Sequence, residues 1–152
     1  MFSKDRDLTI LIAEDDENDI HLLERALRKN GITNPVQVCR DGEEAINYLR
    51  GIDSYADRTK YPFPSVIFLD LKMPRKSGLD VLSWLKAHSE CSVIPAIMLT
   101  SSREESDIAA AYKLGANSYI VKPLNFEKFQ EMIKTAYDYW GWCEKPNVPP
   151  HC

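Results

Sequence analysis

The sequence has no long apolar run, no block of like charge and no paired cysteine motif, and each absence removes a class of protein. The first apolar stretch, Leu8-Thr9-Ile10-Leu11-Ile12-Ala13, is too short to span a membrane or to serve as the hydrophobic part of a signal peptide, and Met1 to Asp7 before it is polar. A cytoplasmic protein with no membrane partner is expected. Nineteen Lys and Arg stand against 23 Asp and Glu, a net charge of −4 without any basic cluster, so no nucleic-acid surface is expected. Cys39, Cys91, Cys143 and Cys152 contain no C-x-x-C pair and are expected as free thiols. With 152 residues, one domain can bury a core without a metal or disulfide staple.

What is present is a strict alternation. Short runs rich in Ile, Val and Leu at Leu8–Ala13, Val36–Cys39, Val66–Leu69, Ile94–Leu99 and Ser118–Val121 read as strands. Between them lie residues with helical period, such as Ile20, Leu23 and Leu27, or Leu79, Leu82 and Leu85, and Phe129 to Trp140 closes the series. Five βα units with nearly continuous apolar strands predict an α/β fold, a single (βα)5 doubly wound parallel sheet with helices on both faces. The expected domain covers residues 1–140, with an extended loop over 51–64 (GIDSYADRTKYPFP) that is either functional or mobile, and a Pro-rich tail over 141–152. Trp140 is expected in the core and Trp142 at a contact surface.

In parallel sheets chemistry gathers at the carboxyl ends of the strands. Strand one delivers Glu14-Asp15-Asp16, strand three Asp70, strand four Thr100-Ser101-Ser102, and strand five Lys122-Pro123. Singly, several have ordinary explanations: Asp16 has the position of a helix cap, and Ser102 with Glu105 fits a capping box. Together they form a pattern. Two carboxylates about 4 Å apart repel by about 4 kcal/mol at a surface-like dielectric, so Glu14, Asp15 and Asp70 need a cation or protons. His21, His88, His151 and the cysteines lie away from these ends, which disfavours zinc, and oxygen donors suit Mg2+ with several retained waters. Magnesium so held completes its shell with phosphate oxygens. A hydroxyl from Thr100 and an ammonium from Lys122 suit a phosphoryl group, with Asp70 as the candidate acceptor.

The stretches LIAEDD (Leu11–Asp16), VIFLDLKMPRKSGLDVL (Val66–Leu82), IMLTSS (Ile97–Ser102) and GANSYIVKP (Gly115–Pro123) closely resemble the receiver domain of two-component response regulators, over Leu8 to Trp140. The resemblance implies the flavodoxin-like strand order 2-1-3-4-5 and Asp70 as the phosphoacceptor for a sensor histidine kinase. It implies Asp15 as direct metal ligand, Glu14 as ligand mainly through water, and the backbone carbonyl of Lys72 as a further ligand. Thr100 resembles the switch hydroxyl, Lys122 the phosphate-binding lysine, and Tyr119 the aromatic that turns inward with Thr100. Lys122-Pro123 resembles a cis X-Pro bond. Lys72 and Ser102 occupy variable positions and are expected to tune the lifetime of the aspartyl phosphate.

The chain is expected to act by binding, as a phosphoacceptor and not a turnover enzyme, because no output domain follows the fifth helix. The 51–64 insertion and the aromatic segment from Tyr137 to Trp142 look similar to single-domain regulators paired with phytochromes and hybrid kinases. The expected partners are a sensor histidine kinase, hybrid kinase or phosphotransfer protein, and an unknown downstream protein. A homodimer is expected through the face of helix four, strand five and helix five, including Ala109, Tyr112, Lys113 and Tyr119. Three rival readings are weaker. A haloacid-dehalogenase-type phosphatase needs a second acid two residues after the nucleophile, where Lys72 stands. A flavin domain would need phosphate-binding donors where the acidic EDDEND lies. A phosphorylation-independent binding module would have no use for the full set of acids, Thr and Lys.

Overall fold

The computed structural model describes residues 8–144. Strands β1 (Ile10–Ala13), β2 (Val36–Cys39), β3 (Val66–Leu69), β4 (Ala96–Thr100) and β5 (Ser118–Val121) alternate with helices α1 (Glu17–Lys29), α2 (Gly42–Arg50), α3 (Gly78–Ala87), α4 (Glu105–Lys113) and α5 (Phe126–Trp142). All strand pairs are parallel and the order is β2-β1-β3-β4-β5, as the family resemblance implied. The winding reverses between β1 and β3, which pair in register from Ile10↔Val66 to Ala13↔Leu69. Their ends therefore open side by side on one crevice.

The two-residue period of the strands divides the core between the faces of the sheet. Leu11, Ala13, Ile67, Leu69 and Met98 pack with Ala45, Leu49, Val81, Leu82 and Ala111 of α2, α3 and α4. Ile10, Ile12, Phe68, Ile97 and Leu99 pack with Leu23, Leu27, Phe129, Ile133 and Trp140 of α1 and α5. Trp140 is core, as expected. Trp142 is 80% exposed. α5 runs through Trp142, two residues past the expected domain edge, and the rest of the tail, 145–152, lies outside the described residues.

Local chemistry starts most helices. Asp16 and Asp41 cap α1 and α2, Asn125 caps α5, and Ser77 with Asp80 forms a reciprocal capping box on α3. α4 departs from expectation. Its N-cap is Glu104 without a side-chain bond, and Ser102 turns its hydroxyl to Asp107, so the Ser102–Glu105 box does not form.

The 51–64 loop is a packed element. Tyr48 donates to the Pro62 carbonyl at 2.7 Å, Arg58 donates to the carbonyls of Leu49 (2.8 Å) and Tyr61 (3.0 Å), and the rings of Tyr48, Tyr55 and Tyr61 lie 5.0–6.0 Å apart. Edge-to-face rings and a guanidinium spanning two carbonyls fix the loop against α2.

Two expectations are corrected. Among the described residues no peptide is cis, so Lys122–Pro123 is trans, the form that X-Pro bonds adopt unless the fold enforces the other. Cys39 and Cys143 are thiols, but buried Cys91 is disulfide-bonded. Pairing depends on spatial approach, which cysteine spacing alone does not encode.

Candidate functional site

The sheet ladder continues one residue past the strands and so sets the site. Asp70 N–H donates to the Ala13 carbonyl (2.9 Å), Glu14 N–H to the Cys39 carbonyl (3.0 Å) and Lys122 N–H to the Thr100 carbonyl (2.8 Å). These bonds leave the side chains of Glu14, Asp70 and Lys122 to converge. Gly78 makes room from below: its N–H donates to the Leu71 carbonyl at 2.8 Å, and any Cβ there would overlap the Asp70 carbonyl oxygen.

Glu14, Asp15 and Asp70 offer oxygens that lie within 4.8 Å of one another. Lys122 Nζ reaches Glu14 at 2.9 Å, Asp19 at 2.8 Å and Asp70 at 3.8 Å. Glu14 and Asp70 are buried, and Asp15 is exposed. Glu14 also accepts the Asp16 N–H at 3.0 Å, and Asp70 accepts the Leu71 N–H at 2.8 Å. Burial pushes the Glu14 carboxyl up to about 7, against the lowering effect of its bond to Lys122, while the charge of Asp70 adds to the rise. For Lys122, burial favours the neutral amine, but the bonds to Asp19 and Glu14 outweigh it and its pKa is raised.

The carboxylates of Glu14, Asp15, Asp19 and Asp70 with the one ammonium of Lys122 carry a formal charge of −4 + 1 = −3. Three hard oxygen donors clustered around unbalanced negative charge fit a divalent cation of the magnesium type, whose ligands would be Glu14, Asp15 and Asp70. Exposed Lys72 lines, with Asp15, Met73, Pro74, Ser77 and Asp107, an open cleft of about 630 Å³ beside the acids. Behind them a smaller cavity of about 90 Å³ runs between Lys122, Asp19 and the apolar Leu23, Phe68 and Phe129.

Thr100 is buried at the end of β4, where its hydroxyl accepts the Ser102 N–H at 3.4 Å. Half-buried Tyr119 donates its hydroxyl to the Ser102 carbonyl at 2.9 Å, and its N–H donates to the Tyr112 hydroxyl at 3.1 Å. Glu14, Asp15, Asp70 and Lys122 thus converge at the strand ends, whereas Asp16 caps α1, Thr100 ends β4 and Ser102 lies in the loop after it. Sequence reasoning missed Asp19, which holds Lys122, and Asp107, which holds Ser102. Asp19 sits three residues after the cap of α1, where an acid reads as a favourable first-turn charge and nothing more.

Residues 10–134 match the model of the response regulator receiver domain. The chain belongs to the response regulator receiver family. It is 32% identical to response regulator Rcp1 of Synechocystis over 86% of this chain and 87% of that protein. Rcp1 has also been solved in a Mn2+-bound form, which this chain matches with a TM-score of 0.83 and 30% identity over 92% of this chain and 99% of that one. The phosphorylated cyanobacterial phytochrome response regulator RcpA superposes with a TM-score of 0.85 at 33% identity, covering 93% of this chain and 99% of that one. The bacteriophytochrome response regulator AtBRR is 39% identical with a TM-score of 0.74 over the same shares. The chain thus resembles single-domain phytochrome-associated regulators over nearly its whole length. Among the described residues no helix is long and apolar enough to cross a membrane.

Proposed function

We propose that this receiver accepts a phosphoryl group on Asp70, in a Mg2+-dependent reaction in the cytoplasm, from a sensor histidine kinase, a hybrid kinase or a phosphotransfer protein. It is a signalling phosphoacceptor and not an enzyme that turns over a free substrate. The observation that carries this reading is the convergence of Glu14, Asp15 and Asp70 within 4.8 Å, with Lys122 Nζ 3.8 Å from Asp70.

The chain's residues divide the work. Asp70 Oδ1 is held by the Leu71 N–H, and Oδ2, the oxygen nearer Lys122, is the one that attacks phosphorus. A bound Mg2+ supplies charge neutralisation on the phosphoryl oxygens. Lys122 follows the phosphoryl group by leaving part of its hold on Glu14 and Asp19, and buried Thr100 turns its hydroxyl to a phosphoryl oxygen. That turn withdraws the acceptor of the Ser102 N–H, and the loop between β4 and α4 moves with Tyr119, whose hydroxyl it holds. The signal leaves through the α4-β5-α5 face, where Tyr112 is 49% exposed, for a homodimer partner or a downstream protein.

The decisive experiment treats wild type and Asp70→Asn with acetyl phosphate and magnesium and reads intact mass. A phosphoryl mass gain in wild type alone is expected. No gain in wild type with acetyl phosphate or with a cognate kinase overturns the reading. Beryllofluoride with magnesium is expected to raise the mass in solution toward a dimer, and an unchanged monomer removes the homodimer. Lys72→Ala and Ser102→Ala are expected to change the dephosphorylation rate, and unchanged rates remove both residues from lifetime control.

A further inference from the structure

Between β4, β5 and α5 the surface opens into a groove of about 760 Å³. One wall is Val93, Pro95 and Ile120, before β4 and on β5, and the other is Met132, Tyr139 and Trp140 of α5. Trp140 is buried, but Tyr139 is 73% and Val93 38% exposed. Apolar side chains left open across a groove of this size mark a docking surface. Three observations point to its occupant. The chain leaves from the groove's own rim, because Cys143 and Glu144 line it and Lys145 follows. Cys91 sits in the turn before β4, two residues from Val93, where its N–H donates to the His88 carbonyl at 2.9 Å and its carbonyl accepts the Ile94 N–H at 3.2 Å. Cys91 is disulfide-bonded, and because Cys39 and Cys143 are thiols, Cys152 is the only other cysteine of the four that can pair with it within one chain.

We propose that residues 145–152 form a strap that fills this groove and is locked there by a disulfide between Cys91 and Cys152. The stretch KPNVPPHC suits the site. Pro146, Pro149 and Pro150 favour the extended polyproline conformation, which docks on aromatic-walled grooves with little loss of entropy, and Val148 adds an apolar side chain. Eight residues at about 3.1 Å each reach about 25 Å, against about 17 Å for the stretch of α5 from Met132 to Cys143 that lines the groove. In a reducing compartment the oxidant is a disulfide such as glutathione disulfide. The Cys152 thiolate attacks one of its sulfurs and releases a glutathione thiolate, and the Cys91 thiolate then attacks the Cys152 sulfur and releases the second. Two cysteine thiols are oxidised, one glutathione disulfide is reduced to two glutathione thiols, and the two cysteine protons pass to them. Reduction reverses both exchanges, frees the strap and uncovers the groove on the α5 side of the α4-β5-α5 face. None of this depends on Asp70.

The test equilibrates the full chain at several ratios of reduced to oxidised glutathione, quenches it in acid, alkylates it in denaturant and reads intact mass and non-reduced peptide maps. A single chain with two alkyl groups, on Cys39 and Cys143, and a linked Cys91–Cys152 peptide are expected, with three alkyl groups in Cys152→Ser. Tyr139→Ser and Val148→Ser should each lower the equilibrium constant for forming the disulfide against glutathione by about tenfold, as when an apolar side chain loses its burial. Four alkyl groups at every ratio, a link from Cys91 to Cys39 or Cys143, or two alkyl groups in Cys152→Ser overturns the inference. A disulfide between two chains also overturns it and makes a second copy the occupant. An unchanged constant in either groove variant refutes the docking even where the link forms. If Tyr139→Ser loses its fold by circular dichroism, Val148→Ser decides by the same criterion.

Discussion

Replacing Gly78 by Ala tests how tightly the fold holds Asp70. The new methyl would overlap the Asp70 carbonyl oxygen and come within 3.0 Å of its carbon and 3.1 Å of Leu71 Cα. All three are backbone atoms, and the Gly78 N–H to Leu71 carbonyl bond ties the two segments together, so neither can yield alone. Two effects compete. Alanine is the better helix former by up to about 1 kcal/mol in a helix interior, but Gly78 is the first residue of α3, where that gain is smaller. Overpacking against a rigid neighbour costs about 1 to 3 kcal/mol and wins. A net loss of about 2 kcal/mol corresponds to a fall in Tm of about 4 to 8 °C for a chain of this size. The displaced carbonyl also drags the Asp70 carboxylate, so phosphoryl uptake from acetyl phosphate should slow. Gly31→Ala is the control. It has no atom within 4 Å, but its φ of 72° is left-handed, so it should cost about 1 kcal/mol and leave uptake unchanged. Wild-type melting and uptake in Gly78→Ala would refute the reasoning.

Further outcomes follow from the same geometry. The Glu14 carboxyl is raised from an ordinary 4.5 to about 7, so the metal-free fold binds a proton between those values that the unfolded chain releases. Stability in EDTA should therefore fall as pH rises from 4.5 through 7, and magnesium affinity should fall as pH drops below 7; thermal melts and calorimetry at pH 6 and 8 check both, and Glu14→Gln should flatten them. Tyr48→Phe removes the 2.7 Å bond to Pro62 and should cost about 1 kcal/mol in denaturant midpoint experiments, with no change in phosphoryl uptake. Burial pushes the Cys39 thiol up to about 12, so iodoacetamide should reach Cys39 only after denaturation, as mass mapping of the labelled peptides would show.

The strand ends were legible because each apolar run stops at a residue with no place in a core: Glu14, Asp70 and Lys122 could only face a crevice, and the parallel sheet put them on one edge. Asp19 was not legible in the same way, because its grip on Lys122 depends on how α1 is rotated against β5. The Ser102–Glu105 pattern misled for a related reason. A capping box needs the serine to serve its own helix end, and Asp107 in the first turn of α4 offers its hydroxyl a charged acceptor instead. The 51–64 loop was expected to be either functional or mobile from its length, yet Arg58 and three tyrosines make it a packed strap, a contact set that only three-dimensional approach reveals.

Lys122 has a mechanical consequence beyond its charge. Its ammonium ties the first turn of α1, through Asp19, to the far end of the sheet, where β5 leaves. On the proposed phosphorylation, a group that drew the ammonium toward Asp70 would slacken this tie and loosen a helix on the opposite flank from α4. Amide exchange in the first turn of α1 should quicken on phosphorylation, and the receiver would then present two altered surfaces, one for the protein that reads it and one for the protein that charged it.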